Sequence, residues 1–84
     1  MEKKEVAVEN PVVVDGLTFI PVVEVSMDYH NTGRVTSLSG EKQPVAVVVV
    51  SPSLKRAFRI SGEEVSIEQM TQEAPALEEV LKRL

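Results

Sequence analysis

The chain of 84 residues has no cysteine and no tryptophan, and it contains only one histidine, one tyrosine and two phenylalanines. Without cysteine there is no disulfide framework and no thiolate zinc site, and nothing in the sequence indicates an oxidising compartment. A zinc site built on nitrogen and oxygen ligands has little support from a single histidine. The scarcity of aromatic residues also argues against a surface that stacks the bases of single-stranded nucleic acid.

The chain also lacks an excess of positive charge and a long apolar segment. Nine lysines and arginines stand against thirteen acids, so the net charge of −4 repels phosphate backbones and anionic lipids. The longest apolar run, residues 45–50, is far shorter than the roughly 18 residues of a spanning helix, and no signal-peptide pattern is present. We therefore expect a cytoplasmic protein that neither binds nucleic acid nor inserts into a membrane.

What the chain does have is the composition of one small folded domain, residues 1–84, with 43% hydrophobic and 26% charged residues. A core of this size usually contributes only about 3–5 kcal/mol unless a disulfide, a metal or a second subunit reinforces it. Because cysteine is absent, association into a homo-oligomer is the route that stays open.

Residues 44–51 form the segment around which the chain is organised, and five of them are valine. Branching at Cβ favours extended backbone, so we predict a strand that is apolar on both faces. One short helical region covers only one face of a sheet. Either a partner covers the other face or the sheet curls over itself. The candidate interaction residues on this second face are Val45, Val47 and Val49, opposite to Ala46, Val48 and Val50.

Turn residues and alternation place the other strands. Residues 5–9 form a first strand that Asn10-Pro11 interrupts, and Asp15-Gly16 between two apolar runs predicts a type I′ hairpin. Pro21 indicates a bend, a bulge or an edge position. The remaining predictions are a turn at residues 31–33, a strand at 34–38, a polar loop at 39–43, and a strand in which Leu54, Arg56, Phe58 and Ile60 share one face.

The C-terminal part changes to helical spacing. Ser66 followed by Gln69 fits a capping box, and Pro75 divides the segment into two short helices. Leu77, Val80, Leu81 and Leu84 form an apolar stripe on the second helix. The predicted fold class is therefore α+β: a small antiparallel sheet of hairpins over residues 5–61 and a C-terminal helical segment over residues 66–84.

The stretch whose side chains could take part in catalysis or metal binding is Asp28-Tyr29-His30. From Val23 the strand alternates, with Val23, Val25, Met27 and Tyr29 on one face. Glu24, Ser26, Asp28 and His30 lie on the other face, and Asp28 and His30 stand about 7 Å apart. Ser26 is about 13 Å from His30, too far for proton transfer. We favour a solvated strand face, and a metal or small-molecule site on Glu24, Asp28 and His30 is the alternative. No catalytic or cofactor-binding residue is predicted.

Three segments together carry a family resemblance. Residues 11–26 read PVVVDGLTFIPVVEVS, residues 44–50 read PVAVVVV, and Ala74-Pro75 precedes a short amphipathic helix. This order, which spans nearly the whole chain, resembles the sporulation protein family of the YtfJ/GerW type. The resemblance implies a small cytoplasmic protein of bacteria or archaea, connected with spore formation or germination, and it carries over no catalytic residue. The chain lacks the family's glycine-rich segment, because residues 29–43 contain only Gly33 and Gly40. We expect a non-enzymatic assembly or interaction module, homo-oligomeric or bound to an unknown protein partner.

Overall fold

The structure is a computed structural model that describes the backbone of residues 2–32 and 35–84 and the side chains of residues 3–27 and 40–84. Within those residues six strands form one antiparallel sheet, and two short helices follow it. The fold is α+β, as predicted from the sequence. The elements in chain order are β1 Glu2–Val8, β2 Val12–Val14, β3 Leu17–Thr32, β4 Val35–Val50, β5 Lys55–Arg59, β6 Glu64–Val65, α1 Ile67–Glu73 and α2 Ala76–Lys82.

The strand order is β1-β3-β4-β5-β6, with β2 also paired to β3. Because β4 occupies one edge of β3, β1 and β2 share the other edge and lie end to end along it. The interruption between them includes Asn10-Pro11, as predicted, and also Glu9, whereas β1 begins at Glu2, three residues before the predicted start. The Glu9 N–H still donates to the Pro21 carbonyl at 2.9 Å. In a strand the nitrogen and the carbonyl of one residue point to the same side, so the Pro21 nitrogen also points toward the gap between β1 and β2. Because no regular ladder needs a donor there, the absence of an N–H on Pro21 breaks no strand pairing.

A two-residue turn joins β2 to β3, and it confirms the predicted hairpin. Val14 pairs with Leu17, and the turn residues Asp15 and Gly16 have φ angles of 50° and 79°. Two consecutive positive φ angles define a type I′ turn, whose twist matches the twist of the flanking strands. Asp15 tolerates the left-handed region better than most side chains, and Gly16 has no Cβ to clash.

The hairpin of β3 and β4 corrects two predictions. Asn31 and Thr32 belong to β3 and not to a turn, and residues 39–43 belong to β4 and not to a polar loop. Each of these loop-like residues has a partner on β3, from Asp28 with Ser39 to Glu24 with Gln43. Pairing across the hairpin thus overrides their weak strand propensity. Residues 35–38 are strand as predicted, whereas Gly33 and Arg34 lie outside the described residues.

A β-bulge interrupts the β3–β4 ladder one residue after Pro21, and it accounts for the irregularity predicted there. Val22 pairs with Ala46, but Val23 pairs with Pro44, so Val45 has no Cα partner on β3. An extra residue on one strand bends that strand and breaks its alternation, so even-numbered and odd-numbered residues exchange sides of the sheet beyond the bulge. Toward the β3–β4 turn, Pro44 and Lys42 consequently take the side that Val47 and Val49 occupy nearer the C-terminal end of β4.

The buried core lies between one face of the sheet and the two helices. The Ser66 hydroxyl caps α1 by accepting a hydrogen bond from the Gln69 N–H at 3.0 Å, as the capping box predicts. Leu84 lies beyond the end of α2 and is exposed, contrary to the predicted stripe, whereas Val80 and Leu81 pack on the core. The buried cluster is Ile20, Val22, Ala46, Val48, Ala57, Val65, Met70, Ala74 and Leu77.

Candidate interaction surface

The sheet has one face without helices, which we call the open face. Directly paired residues of antiparallel strands point to the same side, and neighbours along a strand point to opposite sides. Because Ile20, Val48 and Ala57 are buried against the helices, the residues that alternate with them face away. Two rows across the sheet therefore form the centre of the open face: Phe19, Val49 and Arg56, then Pro21, Val47 and Phe58.

The open face is apolar and incompletely covered. Phe19, Val47, Val49 and Phe58 are half-buried by their neighbours in the sheet. Around them lie apolar side chains with more than a third of their surface exposed: Val12, Val14, Leu17 and Leu54. The helices contact β1 and β5 from the opposite side, so they do not shield this surface.

A groove of about 250 Å³ indents the open face near the β4–β5 turn. The turn itself is fixed by backbone bonding, since the Ser51 N–H donates to the Leu54 carbonyl at 2.8 Å. The Leu54 N–H in turn donates to the Ser51 hydroxyl at 3.1 Å. This geometry holds the exposed Leu54 side chain beside the groove. The lining residues are Leu17, Val49, Ser51, Leu54, Arg56 and Phe58.

Ion pairs surround the apolar centre. At one end the Arg56 Nε lies 3.6 Å from the Glu64 carboxylate, beside Phe58. Farther along, the Lys42 ammonium lies 3.1 Å from the Glu9 carboxylate. Lys42 and Glu9 flank β3 on opposite sides, so their bridge crosses that strand. Each of these four charges is thus matched within the chain.

The predicted interaction residues divide between two environments. Val47 and Val49 lie on the open face. Val45 packs against the buried cluster, because it is the extra residue of the bulge and leaves the alternation. Ala46 and Val48 are fully or nearly buried under the helices.

The predicted chemical site lies on the β3 part of the long hairpin. The backbones of Glu24, Asp28 and His30 are all in β3, at alternating positions. Glu24 is half-buried, while the side chains of Asp28 and His30 lie outside those that the structure describes. Among the described residues, no three histidine or acidic side chains come together in a way that could hold a metal ion. The metal site therefore stays a prediction.

The alternation of residues 54–60 predicts that Leu54, Arg56, Phe58 and Ile60 share one face, and the structure brings the first three of them together at the groove. This alternation does not identify Leu17 and Phe19 as their neighbours. The signal was present in the Asp-Gly turn, which pairs Val14 with Leu17 and Val12 with Phe19. What could not be derived was which face the helices would leave open.

The fold and this surface define the class of protein: a small α+β domain whose helices cover one face of its sheet and leave an apolar face open. Comparison of the chain with protein-family models, with curated proteins and with solved structures finds no match. Over the described part of the chain, none of the helices has the length and apolar character needed to cross a membrane.

Proposed function

We propose that the protein is a non-enzymatic interaction module that docks its open face onto a protein surface. The observation that carries the proposal is that the helices leave uncovered the two rows through Val49 and Val47, whose residues are apolar except for Arg56. The removal of apolar surface from water is the dominant favourable term in most protein–protein association, and contiguous exposed apolar patches usually mark interaction sites.

The chemistry of the groove supports binding over catalysis. Its wall is apolar except for Ser51 and Arg56. The Arg56 guanidinium offers N–H donors and no acceptor, and it is already paired with the Glu64 carboxylate. The Ser51 hydroxyl contacts the backbone of its own turn, and the groove lining places no base beside it. These side chains suit the recognition of a partner.

The resemblance to the YtfJ/GerW type extends the proposal to a process, the formation or germination of spores. Docking through an apolar sheet face would serve assembly in such a process without any catalytic residue. An immunoblot that compares vegetative cells with spores of the source organism tests this extension. Enrichment in spores supports it, and confinement to vegetative cells contradicts it.

Site-specific photocrosslinking tests the docking itself. A photoreactive phenylalanine derivative at Leu54, which is 56% exposed on the open face, should give discrete adducts in living cells. The control is the same substitution at Leu84, which is 55% exposed beyond α2. Adducts that form from Leu54 and not from Leu84 support docking through the open face. Equal adducts from both positions, or none from Leu54, would refute it.

A further inference from the structure

We propose that the occupant of the open face is a second copy of this chain, so that two sheets pack face to face with the helices outside. The inference rests on the proposed function, because it names the partner of the same surface. Three observations support it: the exposed area of the chain, the charge balance of the open face and the shape of the open face. The resulting dimer is a sandwich, in which two sheets pack about 10 Å apart with interdigitating side chains.

The first observation is the amount of surface. The chain exposes 6088 Å². A compact monomer of its mass, 9.2 kDa, exposes only roughly 4,900 Å² by the usual scaling. The excess of roughly 1,200 Å² is larger than the ~800 Å² that each partner contributes to a standard interface, and two copies together reach the range of homodimers. Part of this excess comes from the elongated shape of the chain, 55 × 22 × 20 Å, and the exposed apolar side chains Val12, Val14, Leu17 and Leu54 place another part on the open face.

The second observation is the charge balance of the open face. The chain as a whole has a net charge of −4. Among the side chains that the structure describes, its open side, in contrast, carries three cations that are each bridged to an acid at 2.9–3.6 Å. A symmetric dimer brings each patch against its own copy, so any net charge on the face would repel itself. Neutrality of this one face in an acidic chain fits self-association. The pairs are Lys3–Glu5, Lys42–Glu9 and Arg56–Glu64.

The third observation is that the open face carries both projections and a recess. Val12, Val14 and Leu54 are each at least half exposed, and the groove of about 250 Å³ lies next to Leu54. A symmetric interface is self-complementary, because the same patch supplies both halves of each contact. Projecting apolar side chains beside an apolar recess on one surface meet that requirement.

Sedimentation velocity of the full chain, from low to high micromolar concentration, tests the proposal. We expect the wild type to sediment with twice the mass of the 9.2 kDa chain. Val14→Lys and Leu54→Lys place an ammonium on the open face and should raise the dissociation constant by at least about tenfold. Val13→Lys is the matched control, since Val13 follows Val12 on the same strand, is 69% exposed and points to the opposite side. It should leave the dimer intact, and circular dichroism of all three variants reports their folding.

The outcomes separate this inference from the proposed function. If the wild type stays monomeric while Leu54 crosslinks to a different protein, the second copy is refuted and docking through the open face stands. If the wild type is monomeric and Leu54 gives no adduct, both proposals fail. A dimer that Val14→Lys and Leu54→Lys leave unchanged would use another surface, and this too overturns the inference.

Discussion

Arg59 of β5 holds Glu73 of α1 through two parallel hydrogen bonds, each 2.8 Å from guanidinium nitrogen to carboxylate oxygen. This fork-to-fork arrangement fixes direction as well as distance, so it orients α1 on the sheet. The hydrogen bonds from Arg59 lower the pKa of the Glu73 carboxyl, and the charge of Arg59 adds to the effect. The same contact raises the pKa of Arg59.

The first prediction concerns Glu73→Gln and pH. Because the folded-state pKa of Glu73 lies below its ordinary value of 4.5, the contribution of the ion pair is fully present above that pH. It is lost as the pH falls through the folded-state pKa. Wild type should therefore unfold at a higher urea concentration than Glu73→Gln at pH 7, and the difference should shrink toward zero at low pH. Glu68→Gln, which replaces an exposed acid in the first turn of the same helix, is the control and should lose only the smaller contribution of the helix macrodipole. A difference that persists at low pH would contradict the assignment.

The second prediction compares two glycines. Gly16 has φ of 79°, where an added Cβ meets no atom within 4 Å, so the cost of Gly16→Ala comes from backbone strain alone. We expect a loss of about 1–2 kcal/mol in unfolding free energy. Gly40 is a strand residue without positive φ, and an added Cβ meets only ordinary contacts of 3.6 and 4.0 Å. Gly40→Ala should be neutral or stabilising by up to about 1 kcal/mol. Urea unfolding of both variants decides, and equal effects would contradict the type I′ turn.

The third prediction addresses the core. Leu77 is fully buried between α2 and the sheet, so Leu77→Ala removes its contacts and leaves a cavity. Such substitutions cost about 2–5 kcal/mol, which rivals the whole stability of a domain of this size. The variant should be largely unfolded by circular dichroism at 25 °C. Leu84→Ala, at an exposed position, should change stability by no more than about 0.5 kcal/mol. A folded Leu77→Ala protein with wild-type stability would show that the helices do not anchor the sheet.

Local signals predicted those parts of the fold that neighbouring residues determine. The Asp15-Gly16 turn depends on two adjacent φ angles, and the Ser66 cap depends on a hydrogen bond to a residue three positions away. The buried Leu77 follows from helical spacing after Pro75. In each case the atoms that decide the structure lie within one turn of the chain.

The parts that could not be predicted depend on distant partners. Residues 39–43 look like a loop, and they become strand only because β3 supplies a partner for each of them across the hairpin. The environment of Val45 depends on the bulge, which breaks the alternation that the sequence indicates. Which face stays open depends on the side of the sheet against which the helices pack, and the alternation of Val47 and Val48 is compatible with either side.

The last prediction tests the bulge through the deletion of Val45. Without the extra residue Pro44 directly precedes Ala46, so a regular ladder keeps Val22 paired with Ala46 and Val23 paired with Pro44. Lys42 then keeps its partner Val25 and its side of the sheet, and its 3.1 Å bridge to Glu9 across β3 remains. The control is Val45→Ala, which removes the packing of the side chain but keeps the residue count and the register.

We expect Val45→Ala and the deletion each to cost about 1 kcal/mol, because both lose the packing of the Val45 side chain and neither changes the pairing of the other residues. Urea unfolding of the two variants measures these costs. Nuclear Overhauser contacts between the Lys42 and Glu9 side chains should persist in both variants. Their loss in the deletion alone, together with a much larger cost, would contradict this expectation and would mean that β4 shifts its register instead of closing the bulge. A one-residue shift would turn over the segment on the N-terminal side of Val45, so that Lys42 would face the helices and the charge balance of the open face would change.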